Sequence, residues 1–174
     1  MGKRGVSRKA SGIAFLAAAA LAVGCGPSSE EARIRAFLKE TMALAEKRDL
    51  AGVMSRLADG YSDFEGRDKE ATRTLLGDHF RRTGIVIHLL GVRVTPAGPG
   101  GQASVEAEAF LSSGAAEVFR RLLSVSGECY RFDVRLSSAT GAGWQITWAR
   151  WESVPMSDLF PESLAALRKL FPGL

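Results

Sequence analysis

The amino-acid sequence predicts an α+β domain in which three helices precede a curved antiparallel sheet and a short helix closes the chain. Two observations support this prediction. Apolar residues recur at helical intervals from about residue 30 to residue 82, and after Gly84 they alternate with a period of two. The composition, 46% hydrophobic and 24% charged over 174 residues, excludes collagen-like, disordered and many-span membrane proteins.

Residues 1–24 have the pattern of a secretory signal. A basic start precedes an uninterrupted apolar run over 12–24. As a helix this run would rise about 20 Å, which is short of the roughly 30 Å hydrocarbon core of a membrane. Removing its four basic residues from the 23 in the chain leaves 19 basic against 19 acidic residues. A net charge of zero excludes a basic protein that coats nucleic acid.

The end of this signal resembles the lipobox of bacterial lipoproteins, through the stretch Leu21-Ala22-Val23-Gly24-Cys25-Gly26. The resemblance implies acylation of Cys25, a lipidated tether over 25–29, and anchoring in the cell envelope, by analogy at the outer membrane facing the periplasm. Ala22 departs from the pattern, which prefers Leu there. The alternative is cleavage after Ala22, which would release a secreted protein.

If Cys25 is acylated, Cys129 is the remaining cysteine and no intramolecular disulfide can form. A nucleophilic cysteine would need a neighbouring base. We therefore predict that Cys129 is buried in apolar surroundings.

The first predicted helix covers about 29–47, and Ser28 and Glu31 have the spacing of a capping box at its start. Asp49 is expected to cap a second helix that ends at Asp59-Gly60. Its apolar residues follow helical spacing: Leu50, Val53, Met54 and Leu57.

Residues 60–68 are predicted to form a loop with two aromatic residues, ahead of a third helix over about 69–82. The expected apolar side of that helix consists of Ala71, Leu75, Leu76, His79 and Phe80. Four strands follow, over 85–95, 102–112, 128–138 and 144–154.

Strict alternation in the last strand would place Trp144, Ile146 and Trp148 on one face and Ala149 and Trp151 on the other. The segment 115–125 is compatible with a short helix or a strand extension. In the tail, Pro161 is placed to begin a helix, which we expect to act as a lid packed on the domain rather than as a membrane-surface helix.

The order of elements resembles the nuclear transport factor 2-like (NTF2-like) superfamily, also called cystatin-like or SnoaL-like, whose domain is a cone with an internal pocket. Similar patterns occur in its small bacterial envelope proteins, and here they are Arg48-Asp49-Leu50, Tyr61-Ser62-Asp63 with Gly66-Arg67-Asp68, Tyr130-Arg131-Phe132 and the closing Gly143-Trp144 to Trp151. The resemblance implies a cone domain over 30–154, a tail helix within 155–174, and sheet-to-sheet homodimers as a possible assembly.

Enzymes of this superfamily place acids, tyrosines or arginines inside the cone. The candidate pocket residues here are Tyr61, Asp63, His79, Tyr130, Trp148 and Trp151, with His88, Glu106, Glu108, Asp133 and Arg150 as further polar candidates. Proton abstraction would need a carboxylate together with donors for the developing oxyanion. Tyr130 and Asp133 have opposite strand parity, so they cannot face one pocket together unless a β-bulge lies between them. Asp63 could equally order its own loop through backbone hydrogen bonds.

The other motifs do not indicate a cofactor. His79 and His88 have no cysteine or acid at metal-ligand spacing, and neither a phosphate loop nor a nucleophile elbow is present, so no metal or cofactor is predicted. Glu106 and Glu108 share a strand face, as do Arg131, Asp133 and Arg135. If these strands are neighbours, ion pairs on a solvated face explain the charges without a functional role.

Two functional hypotheses follow. The first is an envelope lipoprotein whose cone binds a small apolar ligand, or docks an envelope protein, without catalysis. It predicts an apolar pocket without convergent acids. The second is a small pocket enzyme of the isomerase or hydratase type, which predicts a buried carboxylate with a strongly shifted pKa beside a tyrosine. Because the sequence contains no recognisable catalytic set, we favour the first.

Overall fold

The structure is a computed structural model that describes residues 29–82, 84–98, 100–113, 127–139 and 143–172. The predicted signal, Cys25 and the segment 115–125 lie outside these residues. The elements in chain order are α1 (Glu30–Glu46), α2 (Leu50–Ser55), β1 (Leu57–Asp63), α3 (Lys69–Arg82), β2 (Ile85–Thr95), β3 (Gln102–Ser113), β4 (Gly127–Ala139), β5 (Gly143–Ser153), a 3-10 turn (Met156–Asp158) and α4 (Pro161–Leu170). Within the described ranges, every helix is too short or too polar to span a membrane.

The predicted α+β class is confirmed. The five strands form one sheet in the order β1-β5-β4-β3-β2, and α1, α2 and α3 pack on one face of it, called the inner face below. Strands β2 to β5 pair antiparallel in sequence order and lie within one residue of their predicted limits. The helix α4 packs on the opposite, outer face.

The strand β1 corrects two expectations. The predicted loop over 60–68 is wrong for residues 60–63, and the second helix ends at Ser55 rather than near Gly60. Because β1 runs parallel to β5, the sheet is mixed. Leu57 satisfies the helical spacing of α2 but is buried as a strand residue, since the amide of Ile146 donates to the carbonyl of Arg56 at 2.8 Å and begins the pairing. Short apolar segments fit either period, and here a distant strand decides between them.

The helix starts follow the predicted chemistry with one shift. The N-cap of α1 is Ser29 rather than Ser28, and its hydroxyl accepts from the amide of Ala32 at 3.1 Å. The carboxylate of Asp49 caps α2 as predicted, accepting from the amide of Gly52 at 2.8 Å.

The predicted inward face of α3 is confirmed for Leu76 and Phe80 but is wrong for Ala71, Leu75 and His79. Its buried residues are Thr72, Gly77 and Phe80, whereas Leu75 is 43% exposed and His79 is also exposed. The reason is the neighbouring helix. The side chain of Leu50 in α2 lies 3.4 Å from the position that a Cβ on Gly77 would occupy, so the glycine side of α3 faces inward.

The outer face carries a second apolar core formed with the tail. It consists of Leu90, Phe110, Cys129, Val154, Leu159, Leu167 and Phe171. The lid interpretation of the tail helix is therefore confirmed. Cys129 is buried as predicted, and burial, followed by the nearby charge of Glu108, raises the pKa of its thiol. Gly91 permits the close approach of α4, because a Cβ there would lie 2.3 Å from the hydroxyl oxygen of Ser163.

Candidate functional site

The turn after β1 is organised by one buried carboxylate. Asp63 Oδ1 accepts from the backbone amides of Glu65 and Arg67, both at 2.9 Å, and its Oδ2 accepts from Arg67 Nε at 2.6 Å. Gly66 supplies the left-handed conformation of this turn, with φ of 78°. Asp63 thus orders its own loop, which was one of the two roles expected for it.

These contacts fix the ionisation of Asp63. Burial by itself raises the pKa of this carboxyl, but the hydrogen bonds from Arg67 and from two backbone amides outweigh it, so the pKa lies below its ordinary value. Tyr61 lies two residues earlier on the same strand and is buried. Burial and then the charge of Asp63 raise the pKa of its hydroxyl.

The tryptophans of β5 lie on opposite faces of the sheet, but not as strict alternation predicts. Ile146 pairs with Leu136 while Trp148 pairs with Arg135, so Thr147 is an extra residue in a β-bulge. The bulge returns Trp151 and Ala149 to the inner face with Trp144 and Ile146, and it turns Trp148 to the outer face. The predicted grouping of Trp148 with Trp144 and Ile146 is therefore wrong.

A surface cleft of about 560 Å³ lies where β1 leaves β5. It is lined by Asp63, Phe64, Gly66, Trp148, Arg150, Trp151 and Glu152, and these residues define the β5 cleft. The ring of Phe64 meets the edge of Trp151 at a centroid distance of 5.1 Å, yet Phe64 is 42% exposed. The guanidinium of Arg67 lies 5.3 Å from the Trp151 ring, and that of Arg135 lies 4.7 Å from the Trp148 ring. The cleft therefore combines aromatic side chains with guanidinium groups that lie against their rings.

A buried ion pair on the outer face attaches the tail to the sheet. Glu108 is fully buried, and its Oε1 accepts from Arg131 Nε at 3.0 Å and from Arg131 Nη2 at 2.7 Å. Its Oε2 accepts from the backbone amide of Phe160, the N-cap residue of α4, at 2.8 Å. Arg131 Nη2 also donates to the carbonyl of Asp158 at 2.6 Å. We call these four residues the tail latch.

Comparison with solved structures identifies the fold. An NTF2-like protein of unknown function from Pseudomonas putida KT2440 matches with a TM-score of 0.59 and 20% identity, over 75% of this chain and 96% of that chain. Other matches are described as having a cystatin-like fold. This chain has the NTF2-like fold.

Two further matches differ in length and description. A candidate dehydratase of the NTF2-like family from Streptomyces avermitilis matches with a TM-score of 0.58 and 14% identity, over 71% of this chain and 94% of that chain. Bd1075 of Bdellovibrio bacteriovorus matches with a TM-score of 0.58 and 11% identity over 70% of this chain, but the alignment spans 40% of Bd1075. No protein-family model and no curated protein matches the chain.

The NTF2-like domain brings together only three of the six candidate residues. Asp63, Trp148 and Trp151 line the β5 cleft, whereas His79 is exposed on α3. The side chain of Tyr130 lies on the inner face of β4 and its hydroxyl donates to Glu128, which raises the pKa of Tyr130. Among the described residues, large side chains pack against one another between the helices and the inner face, and they include Ile34, Phe37, Met54, Tyr61, Phe80 and Leu136.

Sequence reasoning missed two parts of the domain. Phe64 was not among the candidates, although an aromatic residue between two acids in a turn that contains glycine is a usable signal for exposed apolar surface. The cross-strand pairing of Glu108 with Arg131 was expected on a solvated face, but the tail covers it. Among the described residues, no group of three His, Cys, Asp or Glu side chains is placed to hold a metal ion.

Proposed function

We propose that this chain is a lipoprotein of the cell envelope, anchored through Cys25, whose NTF2-like domain binds a ligand or a partner protein at the β5 cleft without catalysing a reaction. The exposed ring of Phe64, beside the half-buried Trp151 and Trp148 in one concave site, supports binding at this cleft, because binding sites combine apolar and aromatic lining with a few polar groups.

The state of the buried carboxylates supports the absence of catalysis. Among the described residues, two carboxylates are buried, Asp63 and Glu108, and each accepts three hydrogen bonds from its own surroundings. A general base needs a pKa near the working pH and a free lone pair. The pKa of Asp63 is shifted away from that range, and its partners occupy three of the roughly four lone-pair sites of the carboxylate.

The binding proposal is tested with two matched variants. Phe64→Ala removes apolar surface from the cleft, and Leu75→Ala removes an equally exposed side chain from α3, where no role is proposed. Native mass spectrometry of the mature chain, purified gently from its own host, should find a bound molecule or partner that Phe64→Ala loses and Leu75→Ala keeps. Equal retention by both variants would contradict binding at this cleft.

The lipid anchor is proposed from the sequence around Cys25 and has its own test. Cys25→Ser should leave the protein unlipidated, so that it fractionates with soluble periplasmic proteins rather than with the outer membrane. Unchanged membrane fractionation, together with processing that is insensitive to globomycin, would contradict lipidation. A homodimer is a further proposal, and α4 already occupies part of the outer face on which a sheet-to-sheet dimer would form.

A second candidate function is a small enzyme of the isomerase or hydratase type. The observation that favours it is the proximity of Tyr61 to the buried, ionised Asp63, together with a solved neighbour described as a candidate dehydratase. Under this alternative, Tyr61→Phe would abolish turnover of any substrate found in the cleft. Under our proposal, the same variant leaves the affinity for the bound molecule unchanged, because Tyr61 is buried and does not line the cleft.

A further inference from the structure

One edge of β5 is only partly covered by its parallel neighbour. The register pairs Ser62 with Trp148 and Asp63 with Ala149, after which the turn at residues 64–67 carries the chain away. The strand β5 itself continues to Ser153. Among the residues that the structure describes, the stretch 150–153 of β5 therefore has β4 on one side and no strand on the other.

The directions of the backbone groups follow from two hydrogen bonds. The amide of Val154 donates to the carbonyl oxygen of Cys129 at 2.9 Å. The backbone amides and carbonyls of residues 150, 152 and 154 therefore point towards β4, and those of residues 151 and 153 point away from it. The amide of Phe64 donates to the carbonyl of Ala149 at 3.1 Å, which agrees with this assignment. Trp151 and Ser153 thus direct an amide and a carbonyl each away from β4, and no other described residue pairs with these four groups.

The groups at this edge favour one kind of occupant. Alternating amides and carbonyls along a strand are complementary to another extended backbone. A strand added there would direct alternate side chains to the two faces of the sheet. On the inner face they would meet Phe64 and Trp151, and on the outer face they would meet Arg150 and Glu152, whose side chains form an exposed ion pair at 3.2 Å.

A second copy of this chain fits the edge poorly. Antiparallel pairing about Trp151 would place Arg150 of one copy opposite Glu152 of the other, which suits their charges. However, Ser153 of the second copy would then lie beside Ala149, where Phe64 already donates its amide. Pairing in this register would be confined to residues 150–152. In the register shifted by one residue, Trp151 of each copy pairs with Ser153 of the other, but Glu152 of one copy then lies directly opposite Glu152 of the other, and like charges in that position are destabilising. Either pairing spans only a few residues, far too little for the roughly 800 Å² per partner of a stable interface.

We infer that the β5 cleft binds an extended peptide segment of another protein as an added strand beside Trp151 and Ser153, with an apolar side chain against Phe64 and Trp151 and polar side chains on either side of it. This inference rests on the proposed binding function and names its partner class. Main-chain hydrogen bonds would supply affinity, and the aromatic pair would supply selectivity for the apolar side chain.

The test uses a variant that blocks the edge without removing a bond of the sheet. Because the amide of Ser153 points away from β4, Ser153→Pro removes only that outward donor and adds a ring at the edge. Ser153→Ala keeps the amide and is the matched control. The probe is the strongest binder from a phage-displayed library of random twelve-residue peptides, selected against the mature chain with Cys25→Ser and then synthesised.

We expect Ser153→Pro to weaken binding of this peptide at least tenfold and Ser153→Ala to change it less than twofold. Peptides N-methylated at alternate residues provide a second measurement that does not depend on how the proline variant folds. Methylation of one alternate set should abolish binding, and methylation of the other set should not. Amide exchange at Trp151 and Ser153 should slow at least tenfold in the complex.

Three results would overturn the inference: selection of no peptide, equal effects of both N-methylated sets, or a dimer of the unliganded chain that Ser153→Pro dissociates. The last result would assign the edge to a second copy. If no peptide is selected while Phe64→Ala still loses a bound small molecule, strand addition fails and the proposed binding function stands. If Phe64→Ala also has no effect, both fail.

Discussion

The tail latch provides the most quantitative prediction. Glu108→Ala removes a fully buried carboxylate that accepts two hydrogen bonds from Arg131 and one from the backbone of Phe160. The variant leaves the guanidinium of Arg131 without its charge partner and leaves the start of α4 without an acceptor for its amide. We therefore expect both the sheet and the attachment of the tail to lose stability.

The magnitude follows from these contacts. Breaking a buried ion pair costs about 3–5 kcal/mol, and an unpaired buried amide adds about 1–3 kcal/mol. The side chain of Arg131 is 25% exposed and keeps its bond to the carbonyl of Asp158, which reduces the first figure. We expect Glu108→Ala to lower the free energy of unfolding by about 3–5 kcal/mol.

The assay is urea unfolding of the mature chain with Cys25→Ser at pH 7, followed by tryptophan fluorescence, with limited proteolysis to report release of the tail. Glu106→Ala is the matched control, because Glu106 lies on the same face of β3 but is exposed. It should change stability by no more than about 0.5 kcal/mol. A loss below about 1 kcal/mol for Glu108→Ala, or equal protease sensitivity of the two variants, would refute the role of the latch.

Two further predictions concern the turn after β1 and the contact between β2 and α4. The folded pKa of Asp63 is lowered, so its ionised form contributes stability above the unfolded value of about 3.9, and that contribution is lost as the pH falls through the folded pKa. In urea titrations, Asp63→Asn should therefore lose less of its free energy of unfolding than the wild type between pH 6 and pH 3. An equal loss in the two proteins would contradict this. Gly91→Ala places a methyl group 2.3 Å from Ser163 Oγ and should cost about 1–3 kcal/mol, whereas Ser163→Ala leaves the next atom at 3.6 Å. In thermal unfolding, the double variant Gly91→Ala/Ser163→Ala should be more stable than Gly91→Ala alone by about 1 kcal/mol or more. If the effects of the two single substitutions simply add, the close approach of Gly91 and Ser163 is not supported.

Local sequence patterns were sufficient for most of the secondary structure. The strands from Ile85 to Ser153 are each eleven or more residues long and rich in apolar residues typical of strands, so their limits were predicted within one residue. The helix α1 and the cap at Asp49 were predicted for the same reason, since helical periodicity and capping act within a few residues of the chain. The resemblance to the NTF2-like superfamily followed from this order of elements.

The candidate site could not be predicted in the same way, because its residues come together through contacts that are distant in sequence. Residues 57–63 form a strand because β5 pairs with them from some ninety residues further along the chain. The bulge at Thr147 depends on the register with β4, and this single extra residue decides which tryptophan faces which side of the sheet.

Periodicity and capping are local signals, so the class of fold and the order of nearly all its elements could be predicted from the sequence alone. Which side chains share an environment depends instead on contacts between segments that are distant in the chain. Glu108 and Glu106 are two residues apart on one strand and have the same charge, yet one is fully buried and the other is exposed. The difference arises because the tail, some fifty residues later in the chain, covers one and not the other, and burial depends on what packs over a residue rather than on its neighbours in sequence.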